Sequence, residues 1–558
     1  MKKYVKRAIG LFLVCAICAV SFGVTAFAQD GPVANGIVGL TFGEVKSVIS
    51  GQTVTGNVYT YDVGGTDAFT VSFQYDTAVF AGLEVEAGVG VSVLAQRDDD
   101  GLVGVVFMAD PNAADYSSLL KVIVTAGPDE ADGAIFIASA EAAKQGGLIL
   151  FTIDGGANLS VVHEGLVDEF TIQTLSKAMA LYLLDKTSAN WAAASKYDMN
   201  GDGVIDLQDF IMIANAILDN QRIAKLRFSS DGKFKIMQMS DFQDYVNNTN
   251  KPTVHQSSII LMNAALEAEK PDLVVMTGDQ LGGNMNAEAL QEYIRQMVAP
   301  MEEHGVPWLV TYGNHDEDAT TALSAGWNKI QQLAFYRSFA HNVNRATMSG
   351  ATGFYPNGLN TYAVGDMYQL IYDNAGQTPL YNVWALDSNE YDREYSIYSN
   401  IGGDSYDWIR PKQVQWYSKT SQLLEAKYGK LNSLMFYHIP LQEWSDMWNN
   451  SAKYGVTGEK HEQECPAAVN SGLFLAALER DDVKGMFVGH DHVNTYLGNF
   501  HGIFLGYDAN VGYQTYGLGG TAANNNRLRG VRVFELDKSD LSKFATRMVF
   551  ASDLGVNQ

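Results

Sequence analysis

The spacing of apolar positions changes character along this chain, and the changes divide it. Between residues 31 and 162, Val, Ile, Thr and Phe alternate with polar residues through 52–63, 68–74, 101–108, 119–125 and 148–153, with Gly and Asp between the runs. Short period-two runs separated by turn residues predict half-buried strands, and several in succession predict an all-β sandwich. A helical pattern follows over 207–218. Beyond residue 223 the apolar runs become continuous, at 234–239, 273–276, 308–312, 381–386 and 431–437. Runs of that length and purity predict the buried strands of an α/β sheet. The expected organisation is multidomain: a leader over 1–28, a β-sandwich over 29–162, a small α module over 163–222 and an α/β domain over 223–558.

Metal-ligating residues stand where these buried runs end. Ser240-Asp241-Phe242-Gln243 follows the first, Thr277-Gly278-Asp279 the second and Gly313-Asn314-His315-Asp316 the third. Tyr437-His438 closes another, and Gly489-His490-Asp491-His492 lies near the C-terminus. The carboxyl ends of strands are where an α/β sheet gathers a site. Asp241 and Asp279 are hard oxygen donors, and an Asp can bridge two cations. Asn314 offers an amide oxygen. His438, His490 and His492 offer nitrogens that suit zinc, iron, manganese or nickel better than magnesium or calcium. Six or seven such ligands are too many for one ion and suit two. Two metals roughly 3.5–4 Å apart hold a bridging hydroxide and clamp a phosphate for in-line attack. His315, beside Asn314, is placed to protonate the leaving alkoxide. His163, His255, His304, His341, His461 and His501 lack such a context, so surface or packing roles are expected for them. Asp387-Ser388 either lines the site or serves the structure.

The order D-x-Q, GD, GNHD, H and GHDH resembles the calcineurin-like metallophosphoesterases over residues 223–555. The resemblance implies two packed mixed β-sheets flanked by helices, with a dinuclear site at the strand ends. It assigns one metal to Asp241, Gln243, Asp279 and His492. The other takes Asp279 as a bridge with Asn314, His438 and His490, and His315 becomes the proton donor. The opening motif is normally D-x-H, so Gln243 is a departure: a neutral amide oxygen is a weaker ligand than imidazole. Asp244 follows it and is a possible supplement. Residues 272–280, Tyr437-His438-Ile439-Pro440, 489–494, Glu464-Cys465 and 470–474 are similar to a subgroup with plant inactive-purple-acid-phosphatase-type proteins and a fungal phosphoprotein phosphatase.

A second kind of metal site lies upstream. Residues 198–209, D-M-N-G-D-G-V-I-D-L-Q-D, have EF-hand spacing, with Gly203 at the sharp turn and Ile205 as core anchor. The ligands expected for Ca2+ are Asp198, Asn200, Asp202, the Val204 carbonyl, Asp206 (direct or through water) and Asp209. The loop resembles a type I dockerin repeat, and 168–184 is similar to the helix of a first repeat that has lost its loop. Residues 69–76 with 119–124 resemble cohesin modules and related carbohydrate-binding sandwiches. A cohesin/dockerin-type protein partner or a polysaccharide is implied.

Met1-Lys2-Lys3 through Arg7, the apolar stretch 8–20 and Ala26-Phe27-Ala28 have the three parts of a secretory signal peptide, cleaved after Ala28. A secreted, extracellular protein is expected. No later segment reaches the ~20 apolar residues of a membrane span. Of the 3 cysteines, Cys15 and Cys18 lie in the leader, which leaves Cys465 with no intrachain partner. A formal charge of −25 argues against nucleic-acid backbone binding and repels anionic substrates at long range. Arg410, Arg527 and Arg529 are candidates to offset that repulsion. Two functions remain open: a metal-dependent phosphoesterase, or an extracellular assembly protein with an inactive phosphoesterase scaffold.

Overall fold

The computed structural model describes residues 36–556, except 44, 46, 50, 62–67, 100, 111–113, 115, 128–130, 145–146, 163–169, 244–253 and 394–405. The leader, His163 and Asp244 lie outside the described residues. The chain forms two compact units, Met1–Glu164 with Thr187–Ala193, and Gly165–Lys186 with Ala194–Gln558.

The first unit is all β. Its ten strands run in the order Phe80–Ala87, Leu120–Ala126, Thr53–Tyr61, Gly36–Thr41, Gly147–Val162, Ala131–Lys144, Ala68–Tyr75, Leu102–Ala109 and Val91–Asp99, with Ser47–Ile49 also paired to Gly147–Val162. Alternation delivers what it predicts: every second residue of Ala68–Tyr75 is buried. Phe69, Val71 and Phe73 join Val103, Val105, Phe107, Val122 and Val124 in one core. The long strand Gly147–Val162 shifts register between Leu150 and Gly156 and pairs with the strands of both faces. The strands at 36–41, 47–49, 80–87, 91–99 and 131–144 were not legible from alternation. Several carry Gly, Ala or charged residues at positions where a sharp pattern needs large apolar ones, as in FAGLEVEA and ADGAIFIASAEAAK.

The second unit holds two stacked sheets. One has the order Trp308–Thr311, Leu273–Thr277, Lys233–Met239, Gly530–Asp537 and Phe544–Phe550. The other runs Leu226–Arg227, Met367–Tyr372, Pro379–Ala385, Ser433–Phe436, Val483–Val488, Ile503–Tyr507 and Leu497–Phe500. Both mix parallel and antiparallel pairs. The continuous apolar runs are explained by cover on both sides. Ile236, Val275, Leu309 and Phe534 face Val383, Phe436 and Phe487 across the inter-sheet core. On the outer faces, Met237 and Val274 pack with Leu261, Ile294 and Met297 of helices Gln256–Glu269 and Ala287–His304. Trp384, Met435 and Met486 pack with Tyr417 and Leu424 of helix Pro411–Tyr428.

Helix Leu207–Arg222 belongs to this unit. The buried Asp219 accepts from Arg337 at 2.8 Å and from the Ala346 N–H at 2.9 Å. Arg222 donates to the carbonyls of Asn342 and Asn344. The helix therefore ends tied into the 337–346 segment. A buried carboxylate paired with two guanidinium groups costs several kcal/mol to unpair. Asp219→Ala should lower unfolding stability by about 3 kcal/mol, read from the denaturant midpoint of the second unit's transition.

Candidate metal centre

Five strands of the two sheets deliver side chains to one place. Lys233–Met239 leads to Asp241 and Gln243, Leu273–Thr277 to Asp279, Trp308–Thr311 to Asn314, Ser433–Phe436 to His438 and Val483–Val488 to His490 and His492. All seven side chains are buried. Ligand atoms of Asp279, His438 and His490 lie within 4.8 Å of one another, as do those of Asp241, Asp279 and His492. Asp279 belongs to both groups, as a bridging ligand must.

The backbone is bent to do this. Asp241, Gln243, Asp279 and His490 have φ of 52°, 29°, 52° and 74°, a left-handed region that costs a residue with a Cβ about 1 kcal/mol or more. The turns close on one another: the Asp241 N–H donates to Gly278 O and the Gln243 N–H to Asp279 O, both at 3.2 Å. Two glycines are required by contact. A Cβ at Gly313 would lie 2.3 Å from Asp279 Oδ1, and one at Gly278 (φ +90°) would lie 2.7 Å from the His438 ring.

Asp316, the last residue of GNHD, is not aimed at the metal positions. Its carboxylate accepts the N–H groups of Asp279, Gln280, Leu281 and Gly313, between 2.7 and 3.3 Å. It clamps two of the motif turns together. Asp491, between the two histidines of GHDH, likewise turns away to accept from Tyr507 at 2.6 Å and from the Cys465 N–H. Sequence spacing could not separate these anchoring carboxylates from ligands.

The electrostatics favour cations. Burial works against charge on Asp241 and Asp279, yet the neighbouring imidazoles outweigh it and hold both carboxyls below the usual range. His438 is also opposed by burial, but Asp279 and Asp241 push it up to about 10; its Nε2 sits 3.0 Å from Asp279 Oδ2. Its Nδ1 faces the Thr277 carbonyl at 2.8 Å, which presents Nε2 to the centre. Burial and the adjacent His438 push His490 down to about 3, so it stays a neutral imidazole. Asn314 Oδ1 and His490 Nε2 are buried with no hydrogen-bond partner. Buried polar atoms are rarely left in that state, and a cation here would satisfy the Asn314 amide oxygen and a His490 ring whose Nε2 is unprotonated. The donor set of carboxylate, amide oxygen and imidazole fits a transition metal at each group.

His315 lies at the edge of the cluster, its side chain 24% exposed, with Nδ1 2.5 Å from Asp318 Oδ2. Burial lowers its proton affinity, but Asp279 and the bond to Asp318 raise it further, to about 9. Its backbone N–H donates to Asp279 Oδ1 at 2.8 Å. Sequence reasoning missed the rim. Tyr391 meets His315 edge-on and accepts from Asn314 Nδ2 at 3.1 Å, Tyr406 meets His490 edge-on, and Tyr516 stacks on His492 at 4.0 Å. These tyrosines come from segments with no motif, so no sequence signal marked them.

Asp387 is fully buried in an ion pair with Lys329 at 2.9 Å, while Ser388 Oγ accepts the His438 and Ile439 N–H groups. Arg410 pairs with Asp407, Arg527 with Glu459, and the buried Arg529 donates to the Thr515 carbonyl. His255 caps helix Gln256–Glu269, and His304, His341, His461 and His501 contact Asn263, Glu302, Glu459 and Tyr454 respectively.

In the 198–209 loop, Asp198 accepts from the Asp202 and Gly203 N–H groups, and Asp202 from Val204. Asp209 accepts from Met199, Asn200 and Asp206, and Asp206 caps helix Leu207–Arg222. Ile205 is fully buried. The Leu183 N–H donates to Ile205 O, the Ile205 N–H to Leu184 O and the Lys186 N–H to Gly203 O. Residues 183–186 thus pair with the loop. Helix Ile172–Met179, shorter than the 168–184 expected, precedes them.

The family model for calcineurin-like phosphoesterases matches residues 234–494. The chain is 31% identical over 338 residues to a protein of Arabidopsis thaliana named "Probable inactive purple acid phosphatase 29", covering 57% of this chain and 81% of that one. It is 27% identical to "Phosphatase DCR2" of Saccharomyces cerevisiae, covering 49% of this chain and 46% of that protein. A cohesin module from a Clostridium perfringens family 33 glycoside hydrolase aligns with 24% of this chain and 99% of its own, at 12% identity and a TM-score of 0.21, a likeness that carries no argument.

The Asp316 clamp gives a direct test. Asp316→Ala leaves four N–H groups without their acceptor and should destabilise the second unit by about 3–5 kcal/mol, seen as a lower denaturant midpoint. With strands, turns, ligand groups and relatives in agreement, the chain belongs to the calcineurin-like phosphoesterase family.

Proposed function

We propose that this chain is a secreted phosphoesterase that hydrolyses phosphate mono- or diesters with two transition-metal ions, iron, manganese or zinc. One observation carries the reading: Asn314 Oδ1 and His490 Nε2 are buried without partners among Asp241, Asp279, His438 and His492. A protein that had shed its metals could have filled that space with apolar side chains.

Bound metals would supply Lewis acidity toward the phosphoryl oxygens and acidify a water at neutral pH. The chain's own groups do the rest. Asp279 stands in both ligand groups and fixes their separation. His438 and His490 arrive from the sheet opposite Asp241 and Asp279, so stacking of the two sheets assembles the donor set. His315 has its ring oriented and its charged form favoured by Asp318, 2.5 Å from its Nδ1. It lies where the site meets solvent, and there it donates to the leaving alkoxide. Tyr391 and Tyr406, stacked on each other at 5.4 Å, wall that side.

Secretion rests on the leader pattern over 1–28. A Ca2+ ion in the 198–209 loop, held by Asp198, Asn200, Asp202, Val204, Asp206 and Asp209, would brace helix Leu207–Arg222 against the catalytic strands. If so, Ca2+ should raise the melting temperature of the full chain, and Asp198→Ala should abolish that increment.

The second reading is an extracellular assembly protein with an inactive phosphoesterase scaffold. It is favoured by Gln243, by the word "inactive" in the plant relative's name and by exposed Ile172, Met179, Leu207 and Ile211 on the paired helices. Those residues suit a cohesin-type partner, and the sandwich a protein or polysaccharide. The two readings part on transition-metal content.

The test is hydrolysis of paired chromogenic phosphate mono- and diesters by metal-stripped protein reloaded with manganese, iron or zinc. Metal-dependent turnover is expected, and its absence with every metal from a folded protein would favour assembly. Asp279→Asn should abolish turnover and metal uptake together. His315→Ala should retain its metals and slow turnover by roughly 10²–10⁴, and loss of metal from that variant would remove His315 from the donor role.

A further inference from the structure

We propose that Gln243 is a positioning residue and not a metal ligand: with Thr515 it forms a hydrogen-bond relay from His492 to Asp279 that sets both ligands. The inference rests on the two-metal reading of the site and adds how this chain works without the usual histidine.

The contacts run in one direction. Gln243 Nε2 lies 2.9 Å from Asp279 Oδ2. In that orientation the amide N–H donates to the carboxylate. Oε1 then needs a donor, and the Thr515 hydroxyl supplies one at 2.8 Å. A hydroxyl has a single proton. Having given it to Gln243, Thr515 Oγ1 accepts from His492 Nδ1 at 3.0 Å.

That assignment settles the imidazole. With its proton on Nδ1, His492 turns the Nε2 lone pair toward Asp241 Oδ1, 3.0 Å away. Two acceptors face each other there, an arrangement that a metal ion between them stabilises. At the other end, the Gln243 amide restrains Asp279, the carboxylate common to both groups. Outer hydrogen bonds of this kind fix the tautomer and rotation of metal ligands. Thr515 is itself held, since the buried Arg529 donates to its carbonyl at 2.7 Å. Gln243, Thr515 and Arg529 are all buried, so water does not compete for these bonds.

The two metal positions are consequently unequal. Asp241, Asp279 and His492 form one, with three protein ligands. Asp279, Asn314, His438 and His490 form the other, with four.

The experiment is titration of the metal-stripped full chain with Mn2+, followed by calorimetry and by the electron paramagnetic resonance signal of free Mn2+. The unsubstituted protein should take up two ions. Gln243→Leu and Thr515→Val should each weaken one of them by roughly 10- to 100-fold, and the double variant should be no weaker than either single one. Thr515→Ser keeps the hydroxyl and should restore near-normal binding, which separates the relay from a packing defect. If Gln243→Leu loses an ion while Thr515→Val leaves both affinities unchanged, Gln243 is a ligand and the proposal falls. Additive losses in the double variant would also overturn it. No uptake of Mn2+ by the unsubstituted protein would overturn the two-metal reading itself, and the relay with it.

Discussion

Two carboxylates, Asp241 and Asp279, are almost wholly removed from water at one point of the second unit, and the surrounding structure answers to that constraint. Buried negative charge is tolerated only where positive charge or donors come close. Here the His490 and His315 backbone N–H groups and the Gln243 amide donate to them, and the His438 ring approaches Asp279. The same electrostatics that would destabilise an empty apolar core makes this point a strong cation trap.

Holding the trap open costs backbone strain. Four of the seven candidate ligand residues lie at positive φ without being glycine, and such conformations persist only where their surroundings over-determine them. The Asp316 carboxylate, spanning the GD and GNHD turns, is the main local restraint. Asp491 does the same for GHDH through Tyr507. The motifs therefore combine ligands with anchors, and the anchors are as buried as the ligands. Gln243 belongs with the anchors once its amide is read through Thr515.

Around this centre the unit is stiffened from outside. The Asp219–Arg337 pair and the carbonyl contacts of Arg222 fasten helix Leu207–Arg222 to the segment that follows helix Lys329–Tyr336. A loop of EF-hand spacing thus opens a helix of the second unit, and helix Ile172–Met179 presents Ile172 and Met179 to solvent.

The sequence by itself determined five strands of the second unit, at 234–239, 273–276, 308–312, 381–386 and 431–437, and marked candidate ligands at the ends of four of them. Continuous apolar runs report burial on both faces, and a ligand at each run's end follows from chain direction. It also determined the tight loop over 198–209, because a sharp turn with polar side chains at alternate positions is local. Tertiary structure alone showed that Asp316 and Asp491 are anchors, since their carboxylates turn to backbone N–H groups and to Tyr507. It alone set Tyr391, Tyr406 and Tyr516 around the site, from segments far apart along the chain and without motifs. The amide of Gln243 was decided there too: its role depends on Thr515, 272 positions away, and a hydrogen bond across that distance leaves no trace in local pattern.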